Sequence, residues 1–345
     1  MSESGDYSSS SWSGHDFRDA YKRYDRHAGR SYADAQEKGT TVNDLVPEEL
    51  VTQSEAPLVL RVDHTGSMLE SPKKIFEKLP YFSHEVRTVY LGEGAEVSVG
   101  AVGDAASDQF PLQAQPFTAL IPPEGIRPQD AWEDPEITKR LLALVLEGHG
   151  GGSREESYEL AALYDARHIV MPNAKRAIWI CVGDESPYPK VDAAQARAYC
   201  RVDLKKSLTT AAVFAELQKK FAVYFIQLPY YGRTNGEGLA GMTLETAAVR
   251  TVWVGLLGED HVPYLEDPAR VVDVIFGILA KETGREAYFA EELAERQMKD
   301  EGGEQKIATV HRALDTIHRT GTDGEKPEHS RLHRPKGGTR GKGLL

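Results

Sequence analysis

Cysteine is scarce. The 345-residue chain holds only Cys181 and Cys200, too few for a disulfide framework, and Cys181 lies inside the apolar run AIWICV, where a thiol serves as a small buried hydrophobe. CxxC pairs are missing, which removes redox and zinc-ribbon chemistry. No apolar run approaches the roughly 20 residues that span a bilayer. The opening MSESGDYSSSSWSG has neither a basic n-region nor an apolar h-region, so the expectation is a cytoplasmic protein without membrane contact. No repeat of 20 to 50 residues is visible. Phosphate-binding signatures in their working context are lacking as well: GHGGGS has no GK[ST] ending, and the GxGxxG spacing within GRTNGEGLAG does not directly follow a strand. HExxH is absent, so His149 and His168 read as surface or core histidines. No nucleophile with an adjacent base is signalled, and the chain is not expected to be an enzyme.

What is present is a globular composition with an acidic balance. With 40% hydrophobic residues the chain can bury at least one full core. Its net charge, 41 − 53 = −12, argues against nucleic acid as partner of the whole chain. Residues 1–54 begin with seven serines in 13 positions and continue through mixed charges, a polar arm that is either partly disordered or packs on a body or neighbour. Phe17, Tyr21 and Tyr24 share helical spacing within it. From Pro57 short apolar runs alternate with helix-like stretches, the signature of a parallel sheet wrapped by helices. LVLRVD, AEVSVGAVG, RAIWICVGD, AVYFIQLPY and RTVWVGLL read as strands, with a further one near QFPLQAQPF beside AEVSVGAVG. PKKIFEKLPYFSHEVRTVYL, PEITKRLLALVLE, REESYELAALYDARH, LKKSLTTAAVFAELQKKF and DPARVVDVIFGILAKETG read as helices, the first kinked or divided at Pro80. The expected fold is a doubly wound α/β body over 55–284, a mostly parallel six-stranded sheet with helices on both faces. A charged helical extension (285–318) and a basic disordered tail (319–345) follow. The tail carries seven Lys or Arg against three acids and offers the one weak route to nucleic acid.

The informative segment is LVLRVDHTGSM. An apolar strand delivers Asp63 at its C-terminal end; Thr65 and Ser67 follow at alternate positions, and Gly66 permits a tight turn into a helix. One carboxylate and two hydroxyls are hard oxygen donors, which suit Mg²⁺ or Mn²⁺ rather than a thiolate- or imidazole-seeking metal. RAIWICVGD ends in Asp184, and in an open α/β sheet the C-terminal strand ends line one crevice. Asp63 and Asp184 can therefore face one ion if their strands are neighbours. Between them lies EGHGGGSREESYELAAL, a glycine-rich loop opening a helix and carrying Ser153, Glu155 and Glu156.

Asp63, Thr65 and Ser67, the third-loop Ser153 or Glu156, and Asp184 together resemble the metal-ion-dependent adhesion site of a von Willebrand factor type A (VWA) domain. The resemblance covers about residues 55–284, and VDHTGSM is especially similar to bacterial and intracellular VWA domains. Thr65 stands where the commonest pattern has serine. GGGSREES departs further, since a family threonine is expected there; it leaves open which of Ser153 and Glu156 reaches the ion. The resemblance implies binding rather than turnover: Mg²⁺ (or Mn²⁺) with few charged ligands captures a carboxylate from a partner protein. It also implies a partner of the AAA+ ATPase kind, for which intracellular bacterial members resemble adaptors. Two alternatives follow from the same residues: a structural or assembly subunit of a larger particle, and a Mg²⁺-dependent phosphoester hydrolase using Asp63, Asp184 and Glu156.

Overall fold

A computed structural model describes residues 30–64, 73–75, 78–121, 124–125, 135–146, 154–236, 238–298 and 302–317. The chain is a mixed α/β structure built on a largely parallel sheet. The strands are β1 (Leu58–Asp63), β2 (Glu96–Val102), β3 (Leu112–Ala114), β4 (Thr118–Ala119), β5 (Ile178–Gly183) and β6 (Ala222–Gln227). Their order is β6-β5-β1-β2-β3, with β4 also on β2. β6, β5, β1 and β2 run parallel, whereas β3 and β4 pair with β2 antiparallel. Every residue of β1 and β5 is buried, as continuous apolar runs such as IWICV require when both faces are covered.

Alternate side chains divide the core in two. Leu58, Leu60, Val62, Val97, Val99, Ile178, Ile180 and Ile226 enter one apolar cluster, while Val59, Trp179, Cys181, Val223 and Phe225 enter the other. The first is covered by α1 (Leu79–Glu85), α2 (Pro135–Leu142), α7 (Val271–Thr283), α8 (Glu286–Gln297) and α9 (Gly303–Leu314). The second is covered by α3 (Tyr158–His168), α4 (Ala193–Cys200), α5 (Thr210–Leu217) and α6 (Leu244–Leu257). Pro80 occupies the first turn of α1, where its missing N–H costs nothing, and α1 passes directly into a π-helical turn, Val86–Tyr90.

One expected strand is corrected. RTVWVGLL is the second half of α6, not a strand. Thr243 caps this helix by accepting from the Thr246 N–H at 3.1 Å, and Thr246, Val249, Trp253 and Leu257 form its buried stripe. Between them Val252 is exposed while Val254 and Leu256 are partly buried against the core, so the sequence looks apolar at most positions and hides its helical period. The sixth strand is β4 instead.

Residues 30–54 pack against the body. Leu50 and Val51 pair in parallel with Ile169 and Val170, Ser31 bridges to Leu146, Tyr32 meets Phe110 edge-on at 5.4 Å, and the Arg30 guanidinium donates to the carbonyls of Leu141 and Leu144. Residues 285–317 supply Tyr288, Phe289, Leu293, Val310, Leu314 and Ile317 to the first core cluster. The first 29 residues and the basic tail lie outside the described residues. Among the described residues no helix is long and apolar enough to cross a membrane.

Candidate functional site

Parallel pairing of β1 with β5, Val62 opposite Val182, sets the C-terminal ends of these two strands side by side. Asp63 ends β1, and Asp184 follows the last residue of β5; both are buried. Of the other expected ligands, Glu156 is described, whereas Thr65, Ser67 and Ser153 lie outside the described residues. Glu156 is brought in by a two-residue parallel ladder in which Glu155 and Glu156 pair with Ser186 and Pro187. That ladder fixes the end of the glycine-rich loop against the segment just beyond Asp184. The Ser157 N–H donates to the Gly103 carbonyl at 3.1 Å, tying the start of α3 to the end of β2.

Asp63 is held by a side chain that the sequence did not single out. The Tyr158 hydroxyl donates to Asp63 Oδ2 at 2.6 Å, wholly inside the protein. Burial and the carboxylates of Asp63 and Asp184 push the phenol pKa well above its usual value, so it stays a donor. The ring stands edge-on to both Phe225 and Trp253, each 5.4 Å away. These two stack on each other at 3.7 Å, and Trp253 Nε1 donates to the Glu185 carbonyl at 2.9 Å. Gly183 completes the fit: a Cβ there would fall 2.1 Å from the Tyr158 oxygen. Asp184 Oδ2 accepts the Tyr231 N–H at 3.0 Å, and Tyr231 carries a positive φ of 50°, a conformation rarely adopted by a residue with a side chain.

The local electrostatics are those of crowded carboxyls. Burial pushes Glu156 up to about 12, with Asp63, Glu185 and Asp104 adding like-charge repulsion. Glu185 rises to about 8, chiefly through burial and Asp184. Glu156 Oε2 finds no hydrogen-bond partner among the described residues. Asp104 lies two residues past the end of β2, and its Oδ1 accepts the Tyr188 hydroxyl at 2.8 Å. Asp63, Asp104 and Asp184 thus mark the C-terminal ends of three adjacent strands. The sequence carried the signal, since Val102-Gly103-Asp104 repeats Val182-Gly183-Asp184.

The donor set is all oxygen and acidic, which fits a hard divalent cation. Among the described residues, no three Asp, Glu, His or Cys side chains are arranged to hold an ion by themselves. His64, between the expected ligands, is buried with Nδ1 3.2 Å from the Val62 carbonyl, and burial lowers it to about 4, leaving it neutral. His168 stacks on Tyr164 at the far end of α3; His149 lies outside the described residues.

No protein-family profile matches the chain, and no curated protein does. Solved structures with similarity include the pilus adhesin SpaC from Lactobacillus rhamnosus GG, matched over 69% of this chain and 32% of its own, at 9% identity and a TM-score of 0.46. Proximal thread matrix protein 1 from the mussel byssus is matched over 68% of this chain and 49% of its own, at 12% identity and a TM-score of 0.36. The chain therefore spans between about a third and a half of these proteins' lengths.

Proposed function

We propose that the chain is a metal-dependent protein-binding module, a doubly wound domain of the VWA kind. In this reading its strand-end site holds Mg²⁺ or Mn²⁺ and captures a carboxylate from a partner protein. The observation that carries the reading is the pairing of β1 with β5, which puts two buried aspartates, Asp63 and Asp184, at neighbouring strand ends. Glu156, whose Oε2 lacks a partner among the described residues, supports it further: buried carboxyls that crowd one another need either protons or a cation. Asp63 and Asp184 would supply charge from rigid strand ends. Thr65 and Ser67 would add neutral oxygens, and Ser153 or Glu156 would contribute from the third loop. A bound ion would supply Lewis acidity toward an incoming carboxylate. The partner, an AAA+ ATPase among the candidates, would provide that Glu or Asp.

Calorimetric titration with Mg²⁺ and with Mn²⁺, paired with capture of interacting proteins in buffer containing either Mg²⁺ or a chelator, tests this. The parent chain should bind the ion and lose its partner on chelation. Asp63→Ala should bind neither, while remaining folded by circular dichroism. Absence of ion binding by the parent chain, or undiminished capture by Asp63→Ala, would overturn the proposal.

A further inference from the structure

Three features of the Tyr158 contact bear on which cation the strand ends would accept, an inference that rests on the reading above. The phenol donates to one defined oxygen, Asp63 Oδ2. The ring is fully buried and braced by Phe225, Trp253 and the bare Cα of Gly183, so it has neither water nor space to turn to. Releasing Oδ2 would thus strand a buried hydroxyl without an acceptor, a loss larger than a hydrogen bond's net worth.

Cations differ in what they ask of a carboxylate. Ca²⁺ takes six to eight oxygens in flexible arrangements and commonly binds a carboxylate through both, whereas Mg²⁺ demands a compact octahedron. The geometry points to Tyr158 as a positioning residue that sets cation preference. By donating to Oδ2 it biases Asp63 toward binding an ion through its other oxygen, and so favours a small octahedral cation of the Mg²⁺ class over Ca²⁺. The ring packing alone would not do this; the hydroxyl is the discriminating atom.

The test is competitive titration of the full chain with Mg²⁺ and Ca²⁺, comparing the parent with Tyr158→Phe, which keeps the ring and removes the hydroxyl. The ratio of Ca²⁺ to Mg²⁺ affinity should rise by about tenfold, the lower end of what removing a partner of a metal ligand costs. Gly183→Ala displaces the same hydroxyl with every oxygen still present, since its Cβ would fall 2.1 Å from the phenol oxygen, and should shift the ratio in the same direction. Tyr224→Phe, which removes a phenol bound to Glu282, should leave the ratio unchanged. Equal weakening toward both ions, or an unmoved ratio in both variants, would overturn the inference while leaving the metal site intact. A parent chain that binds neither ion would overturn the proposed function and this inference with it.

Discussion

The side chain with the most at stake outside the site is Arg61, fully buried in β1. Its Nε and Nη2 donate to the two oxygens of Asp165 at 2.9 and 2.7 Å, Nη1 reaches Ser98 Oγ at 3.2 Å, and Trp179 Nε1 also donates to Asp165 at 2.7 Å. A buried pair of this kind adds little over an apolar pair of equal volume, but breaking it is costly. Asp165→Asn should lower stability by about 3–5 kcal/mol in denaturant unfolding, because the guanidinium stays buried without its countercharge. Arg61→Met with Asp165→Leu should recover most of that loss, and strictly additive costs would show that the pair is not coupled. Individual residues also mark how far a sequence alone speaks about the site. Asp63 and Asp184 are legible as strand-end carboxylates because each ends an apolar run, and Asp104 is legible on the same ground. Tyr158 is not, since its role depends on the close approach of a helix to Gly183, which no spacing reveals.

Among the elements, strands were read well wherever burial on both faces left an unbroken apolar run, as in LVLRVD and AVYFIQ. The same reasoning failed for RTVWVGLL, where an apolar residue at nearly every position masked the helical stripe. The first helix has a feature no pattern announced, its π-helical end at Val86–Tyr90. Where α1 gives way to that turn lies Glu85, buried, accepting the Tyr288 hydroxyl at 3.2 Å. Burial, then Glu292, drives its carboxyl pKa well above the ordinary value, against the pull of Arg296 and the Tyr288 hydrogen bond. The folded state therefore holds a proton that the unfolded chain has released by the time pH exceeds about 4.5. Stability from this group is present below that pH and is lost as pH rises toward the folded value. Glu85→Gln should consequently unfold at a midpoint that falls less between pH 5 and pH 8 than the parent's, measured by calorimetry. An identical pH slope in both proteins would assign the dependence to other groups.

For the whole molecule, the domain does not end with α7. Leu314 of α9 sits against Gly277 of α7, where a Cβ would come within 2.1 Å of it, and Tyr288, Phe289, Leu293 and Val310 share the same cluster. Burying each large apolar side chain contributes about 1.5–3 kcal/mol, so losing five together is comparable to the roughly 5–15 kcal/mol that holds a domain folded. A chain ending at residue 284 should lose its cooperative unfolding transition, whereas one ending at 317 should keep it; equal transitions would show the C-terminal helices to be accessory. Helical charge patterning made this stretch look like an extension, because α8 and α9 bury only narrow apolar stripes. Assembly of the sheet carries a further consequence of the Arg61 pair. If β1 were displaced by one residue along its neighbours, each of its side chains would turn to the opposite face. Arg61 would enter the apolar side lined by Val99 and Ile180, away from Asp165, and Asp63 would turn from Tyr158. The ion pair thus proofreads folding: misaligned sheets carry an uncompensated charge, and only the correct alignment delivers the aspartate to its phenol.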